Sequence, residues 1–278
     1  MLRRAHGLDS KNPEAMIEVH SLGKCYSLGA GRRIQVHEAI ERVVRRSVGL
    51  QNDTVREPFW ALRGCSFKVQ KGEVVGILGH NGAGKSILLK MLSRVVEPTE
   101  GHAVLRGRVA SILELGAGFD PDMTGRENIL FNGAILGVSQ VKMSARMSDI
   151  ISFAELERFI DEPTKTYSSG MYARLAFSVA SHVEADVLLL DEVLAVGDAA
   201  FSRRCIARLE AAAGLGTTIL FVSHSVDMVL SLCTRCLVID AGELVFDGDP
   251  RIAIEIYNGG RGAGLTYHRS TVREAYGR

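Results

Sequence analysis

Apolar positions along the chain change period several times. Ile17 to His20 starts a strand, and Phe67 to Gln70 and Gly72 to Leu78 predict two more, separated by a turn at Lys71-Gly72. A glycine-rich loop follows, after which Ile87, Leu88, Leu89, Met91 and Leu92 recur with helical spacing. Pro98 to Gly101 carries turn chemistry, ahead of Val104 and a strand over Val109 to Leu113. From about Asp122 to His182 the pattern is helical. Val187-Leu-Leu-Leu190 is a continuous apolar run ending in acids, which predicts a strand buried on both faces of a parallel sheet. Phe201 to Ala213 predicts a helix stopped by Gly214, and Thr217 to Val222 a second buried strand. Leu237 to Val245 reads as a hairpin through Ala241-Gly242, and Ile252 to Tyr257 as a last helix before Gly259-Gly260. The expected fold class is α/β, a core interrupted by a helical insert.

Two segments lie outside this plan. Between Tyr26 and Glu57 the chain inserts a segment in which Val36, Ile40, Val43 and Val44 share one helical face, with Arg32, Arg33, Arg42, Arg45 and Arg46 around it. It reads either as a helix packed on its own domain with solvated arginines, or as one lying at a membrane face against anionic headgroups. The expected organisation is a tail over 1–16, a principal domain over 17–258 with this insertion at 27–57 and a helical subdomain over about 122–184, and a short basic tail over 259–278.

Composition narrows the classes. Hydrophobic residues at 46% and charged residues at 23% fit a folded protein and exclude extended disorder. The 33 Lys+Arg against 32 Asp+Glu leave a net charge of +1, so no overall basic field points to nucleic acid as the main partner. The apolar runs fall far short of the ~20 residues that cross a bilayer, and Met1-Leu-Arg-Arg opens no signal peptide, so a cytoplasmic location is expected. Five cysteines, an odd number in apolar surroundings, suit a reducing compartment. Cys233 and Cys236 form a Cys-x-x-Cys pair, but no second ligand pair accompanies it, and packing at a helix-to-strand junction is the expectation.

The chemistry concentrates in one motif. Gly79-His80-Asn81-Gly82-Ala83-Gly84-Lys85-Ser86 matches G-x-x-x-x-G-K-[ST] directly after a strand and at the opening of a helix, the context of a phosphate-binding loop. There the glycines let successive amides face phosphate oxygens, Lys85 adds a point charge between terminal phosphates, and Ser86 offers a hydroxyl to magnesium. Asp191 and Glu192 close the strand Val187 to Leu190, so they sit where ligands bind in open α/β sheets. Successive residues diverge, which lets Asp191 face magnesium while Glu192 faces an attacking water. His224, two residues beyond the strand ending at Val222, lies at a carboxyl end as well.

Tyr167-Ser168-Ser169-Gly170-Met171, about twenty residues before Asp191, carries a family resemblance. Over roughly residues 17–258 the chain resembles the nucleotide-binding subunit of ATP-binding cassette (ABC) transporters, with phosphate loop, signature segment, paired acids, Asp198 as the D-loop acid and His224 as the switch histidine in the family's order. The resemblance implies a P-loop NTPase (RecA-like) core with an antiparallel β part and a helical subdomain, binding ATP and Mg2+ and hydrolysing ATP. It implies that Ser168, Ser169, Gly170, Met171 and Asp198 approach the nucleotide, that Tyr26 stacks on adenine with Trp60 as the competing aromatic, and that Ile87, where Thr is common, removes at most one phosphate contact. Glu114 stands where a Q-loop glutamine is expected and is a further metal candidate. The variant signature and Val193-Leu-Ala-Val-Gly-Asp198 after the acids resemble bacterial exporters of O-antigen, capsule or teichoic-acid-type polymers. By the same resemblance the subunit works as a head-to-tail homodimer with an integral membrane permease, at the cytoplasmic face of the inner membrane, on a lipid-linked polysaccharide. A soluble ABC ATPase acting on nucleic acid or the ribosome would carry paired cassettes or long coiled-coil insertions, and the variant signature argues against an importer. With only a short tail after Gly259, no carbohydrate-binding domain is expected on this chain.

The two readings of the insertion separate experimentally. If its arginines act at the membrane, replacing Arg42, Arg45 and Arg46 by Gln should leave detergent-solubilised ATPase activity nearly intact while export in cells falls at equal protein level. Unchanged export would favour the packed helix.

Overall fold

The computed structural model describes residues 15–27, 58–113, 116–191, 198–223 and 225–259. Two sheets form its frame. Strands β1 (Ala15–Ser27), β2 (Pro58–Gln70) and β4 (Glu100–Leu105) make an antiparallel sheet in the order β2-β1-β4. Strands β3 (Val74–Leu78), β5 (Val109–Ile112), β6 (Val187–Leu190), β7 (Thr218–Val222), β8 (Arg235–Asp240) and β9 (Glu243–Gly248) make a six-stranded sheet in the order β5-β6-β7-β3-β8-β9. It is parallel from β5 to β8 and ends in the antiparallel hairpin β8–β9. Helices are α1 (Lys85–Leu92), α2 (Gly125–Ile135), α3 (Gln140–Ala145), α4 (Met147–Ala154), α5 (Ser169–Ser181), α6 (Ala199–Gly214), α7 (Val226–Leu232) and α8 (Pro250–Gly259), among the described residues.

The continuous apolar strands are buried on both faces because each face has its own cover. Leu188 and Leu190 of β6 pack with Phe177, Phe201, Met228 and Ile254 from α5 to α8. Val187 and Leu189 point the other way, against Leu88 and Leu89 of α1 and Ile17 and Val19 of β1. A third apolar cluster joins Ile129, Met143, Ile150 and Ile160 to Leu175 and Val179 of α5, so α5 belongs to the core on one side and to the helical layer on the other. A capping box starts α2: the Thr124 hydroxyl accepts from the Glu127 amide and the Glu127 carboxylate accepts from the Thr124 amide. Buried Asn128 donates to the carbonyls of Asp120, Met123 and Thr124 and accepts from the Asp120 amide at 2.7 Å, which fixes the loop entering this layer.

Several boundaries differ from the sequence expectation. β1 starts at Ala15, two residues before the expected Ile17, and runs on to Ser27, and β2 starts at Pro58 rather than Phe67. Register shifts across Val19–Cys25, with Ser21 at φ 44° and Gly64 at φ 60°, break the period-2 pattern without ending the pairing. α6 starts at Ala199 rather than Phe201 and ends on Gly214 itself, with Leu215 as its C-cap, one residue past the expected end at Ala213. Of the signature segment, Ser169, Gly170 and Met171 form the first turn of α5, with Ser168 as its N-cap and Tyr167 before it. Cys233 caps α7 and Cys236 lies in β8, the expected helix-to-strand junction; hydrogen bonding between them and burial raise the Cys233 thiol pKa. Of the expected insertion at 27–57 only Ser27 is described, as the end of β1, and of the expected tails only Ala15 and Met16 in β1 and Gly259 in α8; the rest lies outside the described residues.

Phe221 is fully buried in the middle of β7, the strand between β6 and β3. Phe221→Ala should cost about 3–5 kcal/mol, read as a lower midpoint in urea unfolding of the full chain.

Candidate functional site

Residues Gly79 to Ser86 connect β3 to α1, and their path is set by backbone packing. A Cβ on Gly79 would sit 2.3 Å from the Ile239 carbonyl oxygen, and one on Gly84, at φ 109°, 2.4 Å from that of Ala61. Only glycine fits either place. The Ala83 amide donates to His80 O at 3.0 Å and Ala83 O accepts from the Gly242 amide at 3.0 Å, so the loop is held by the β8–β9 turn. The His80 ring stacks on Tyr257 of α8 at 5.0 Å, and Asn81 is exposed.

Gly84 is the N-cap of α1 and supplies no side-chain acceptor, leaving the positive end of the helix dipole open. Lys85 is 6% exposed and its Nζ donates to the carbonyls of Gly79 at 2.8 Å and His80 at 3.1 Å, so the ammonium folds back over the loop. A hollow of about 320 Å³ is lined by Tyr26, Phe59, Ala61 and residues 82–87. It therefore combines helix amides, a cation and the Ser86 hydroxyl with two aromatic rings, the surfaces needed by a phosphorylated ligand carrying a planar base. Tyr26 and Phe59 are register partners across β1 and β2. Sequence reasoning named Trp60 as the competing aromatic and missed Phe59, which is 50% exposed. Adjacent strand residues face opposite ways, and Trp60 instead holds the Arg63 guanidinium over its ring at 5.0 Å. Ile87 lines the hollow while packing on the core behind it.

Asp191 follows β6 directly, its amide donating to Ile112 O at 3.0 Å. β6, β7 and β3 are neighbours in parallel, so Asp191 and the Gly79 loop leave the same sheet edge two strand spacings apart, about 10 Å. Glu192, His224 and Glu114 lie outside the described residues.

The signature segment is elsewhere. Ser168 is the N-cap of α5 and its Oγ accepts from the Met171 amide at 3.2 Å. Ser168 and Ser169 are exposed, and the space a Gly170 Cβ would fill meets only Ser168 Oγ, at 3.9 Å. None of Ser168, Ser169, Gly170 and Met171 lines the hollow. Asp198 caps α6, accepting from the amides of Ala200 and Phe201 at 2.9 Å each, and pairs with Arg174 of α5. The Phe201 amide first, then the Ala200 amide, Arg174 and Arg204, hold its carboxyl below the usual range.

A family model for ABC transporters matches residues 62–195, and the ABC transporter protein AbcA of Aeromonas salmonicida is 52% identical over 200 residues, 72% of this chain and 65% of its own length. The O-antigen export system ATP-binding protein RfbB of Klebsiella pneumoniae is 49% identical over 199 residues, 72% of this chain and 81% of that protein. The chain belongs to the ABC transporter family. Its fold is that of the solved ABC cassettes: a dimeric, post-hydrolysis structure of the ATP-binding cassette MJ0796, bound to ADP and Pi, superposes with a TM-score of 0.67 at 20% identity, covering 85% of this chain and 99% of that one. The hollow beside Lys85 and the exposed N-terminus of α5 are thus separate surfaces of the chain.

Because the Gly84 site admits no Cβ, Gly84→Ala should abolish nucleotide binding by moving the loop off Ala61. Equilibrium binding of a fluorescent ATP analogue checks this, with circular dichroism verifying that the fold persists.

Proposed function

We propose that the chain is the ATP-binding and hydrolysing subunit of a bacterial exporter that moves a lipid-linked polysaccharide across the cytoplasmic membrane. The observation that carries the reading is the separation of the two half-sites: the hollow beside Lys85 offers phosphate and base contacts, while the α5 N-terminus is exposed and Ser168 accepts from the Met171 amide of its own helix. Two copies related head to tail bring the α5 end of one against the hollow of the other. The relative RfbB, named as an O-antigen export ATP-binding protein, supports the polysaccharide class.

In this reading Tyr26 and Phe59 take the base, residues 79–87 take the phosphates, and Lys85 swings from the Gly79 and His80 carbonyls to the terminal phosphates. Ser86 and Asp191 present hard oxygen donors from one sheet edge, which suits Mg2+, with Glu114 as a further candidate. When bound, Mg2+ neutralises charge on the phosphate oxygens. Glu192 polarises the attacking water and His224 orients the terminal phosphate. From the second copy, Ser168, Ser169, the Gly170 amide and Met171 close the phosphate end with the positive dipole of α5, and Asp198 approaches beside them. Hydrolysis removes the bridging phosphate and lets the copies part.

No described helix is long and apolar enough to cross a membrane. In the exporter reading the motion passes to a separate integral permease. A groove of about 370 Å³ between the core and the helical layer, lined in part by Val95, Leu113, Ala117 and Ile135, is the proposed contact. Phe131 on α2 and Val141 on α3 are exposed apolar side chains of the same helical layer. The assembly thus sits peripherally on the cytoplasmic face. The 17–258 domain, with its insertion and helical subdomain, is the unit proposed to act.

The test is subunit mixing. Lys85→Ala and Ser168→Arg should each nearly abolish ATP hydrolysis alone, and mixed dimers should regain activity, because one interface then carries both defects and the other neither. No recovery in verified mixed dimers would overturn the shared site.

A further inference from the structure

Six residues beyond Ser168, helix α5 carries a cation placed between three helices. The Arg174 guanidinium donates to Glu155 Oε2 at 2.6 Å through Nη1 and to Asp198 Oδ2 at 2.5 Å through Nη2. Its plane lies over the Phe201 ring at 5.2 Å, and the side chain is 20% exposed. Arg204 of α6 closes the cluster by pairing with Glu155 Oε1 at 2.7 Å and covering the Phe153 and Phe201 rings.

Each partner sits at a helix end. Glu155 caps α4 in the left-handed conformation, at φ 58° and ψ 44°, which a non-glycine side chain adopts at a cost, and its carboxylate is bridged by two arginines. Asp198 caps α6 and is the first described residue after the 192–197 segment that leaves Asp191. Single ion pairs this near solvent add little stability. A planar fork gripping two carboxylates with one face on an aromatic ring contributes geometry instead, which a flexible ammonium does not.

We propose that Arg174 is a positioning residue of the ATPase cycle, holding Asp198 and the start of α6 in fixed relation to the Ser168 end of α5 and tying both to the helical layer through Glu155. Its functional consequence rests on the shared-site reading above: the α5 end and Asp198 then meet the partner's hollow as one rigid unit. A displacement of the helical layer moves both together, so a force applied at the layer reaches the phosphate end through this side chain.

The experiment uses the full chain carrying Arg174→Gln or Arg174→Lys. Hydrogen exchange is measured at the first turn of α6, and ATP turnover is resolved into kcat and KM. In Arg174→Gln the capping carboxylate loses its outer anchor, so exchange at the Ala200 and Phe201 amides should rise on the order of tenfold while α1 amides stay unchanged. Turnover should fall about tenfold in kcat with KM held within about twofold, the signature of misplaced rather than missing groups. Arg174→Lys keeps the charge but not the fork and should fall between the two. Wild-type exchange and kcat in Arg174→Gln would overturn the proposal, as would exchange rising equally throughout the chain. Should Arg174→Gln fail to fold, wild-type values in Arg174→Lys overturn it in the same way. A wild-type chain without ATP turnover would instead remove the proposed function, while exchange at Ala200 and Phe201 would still decide whether Arg174 holds the α6 cap.

Discussion

The close approach of three backbone segments around residues 79–84 is the constraint on which the rest of the structure depends. The Ala61 carbonyl comes from the antiparallel sheet, the Ile239 carbonyl from the parallel sheet, and Gly242 from the turn of the β8–β9 hairpin. Gly242 also accepts from the Arg63 amide at 2.8 Å, so the turn bonds to the loop and to β2 at once. At Gly79 and Gly84 the backbones come too close for a Cβ. The phosphate loop is therefore not a flexible strap laid over a finished fold; it is the place where the two sheets meet. Arg235 performs a similar task at the far end of β8, reaching Asp247, Glu73 and the Lys68 carbonyl.

A second consequence concerns how binding groups are distributed. Lys85 bonds to loop carbonyls and Ser168 to the amide of its own helix, so in the proposed shared site neither half would need a ligand to be stable in the single copy. Recruiting these groups exchanges existing hydrogen bonds for new ones, and the gain comes from charge on the incoming phosphate. That arrangement suits a cycle that must open again, since the separated state leaves few buried polar groups stranded.

What could be read from the sequence was local or strongly periodic. Val187–Leu190 emerges as a strand with its expected bounds because four apolar residues between charged and polar neighbours leave little choice, and the hairpin at Ala241-Gly242 is announced by its turn. The glycine spacing of the phosphate loop carried its own chemistry. The lengths of β1 and β2 were hidden, because Ser21 and Gly64 take positive φ in mid-strand and reset the alternation. Phe59 was hidden for a different reason: its place follows only from the pairing with Tyr26, across a separation filled by residues 28–57. Arg174 likewise looks like an ordinary helical cation until Glu155 and Asp198 arrive from distant parts of the chain. Non-local pairing, rather than weak propensity, set the limit.

The ladder between β1 and β2 ends at Ser27 paired with Pro58, one step beyond Tyr26 and Phe59. Chain leaves and returns there at a single gate of fixed width, whatever lies between. Loop-closure cost grows only logarithmically, about 0.6 kcal/mol for each doubling of length, so this gate admits segments of very different size at nearly constant stability. It opens beside the aromatic rim of the hollow, which makes it a location where new sequence can be tried against the base end of the site while the phosphate end stays as it was.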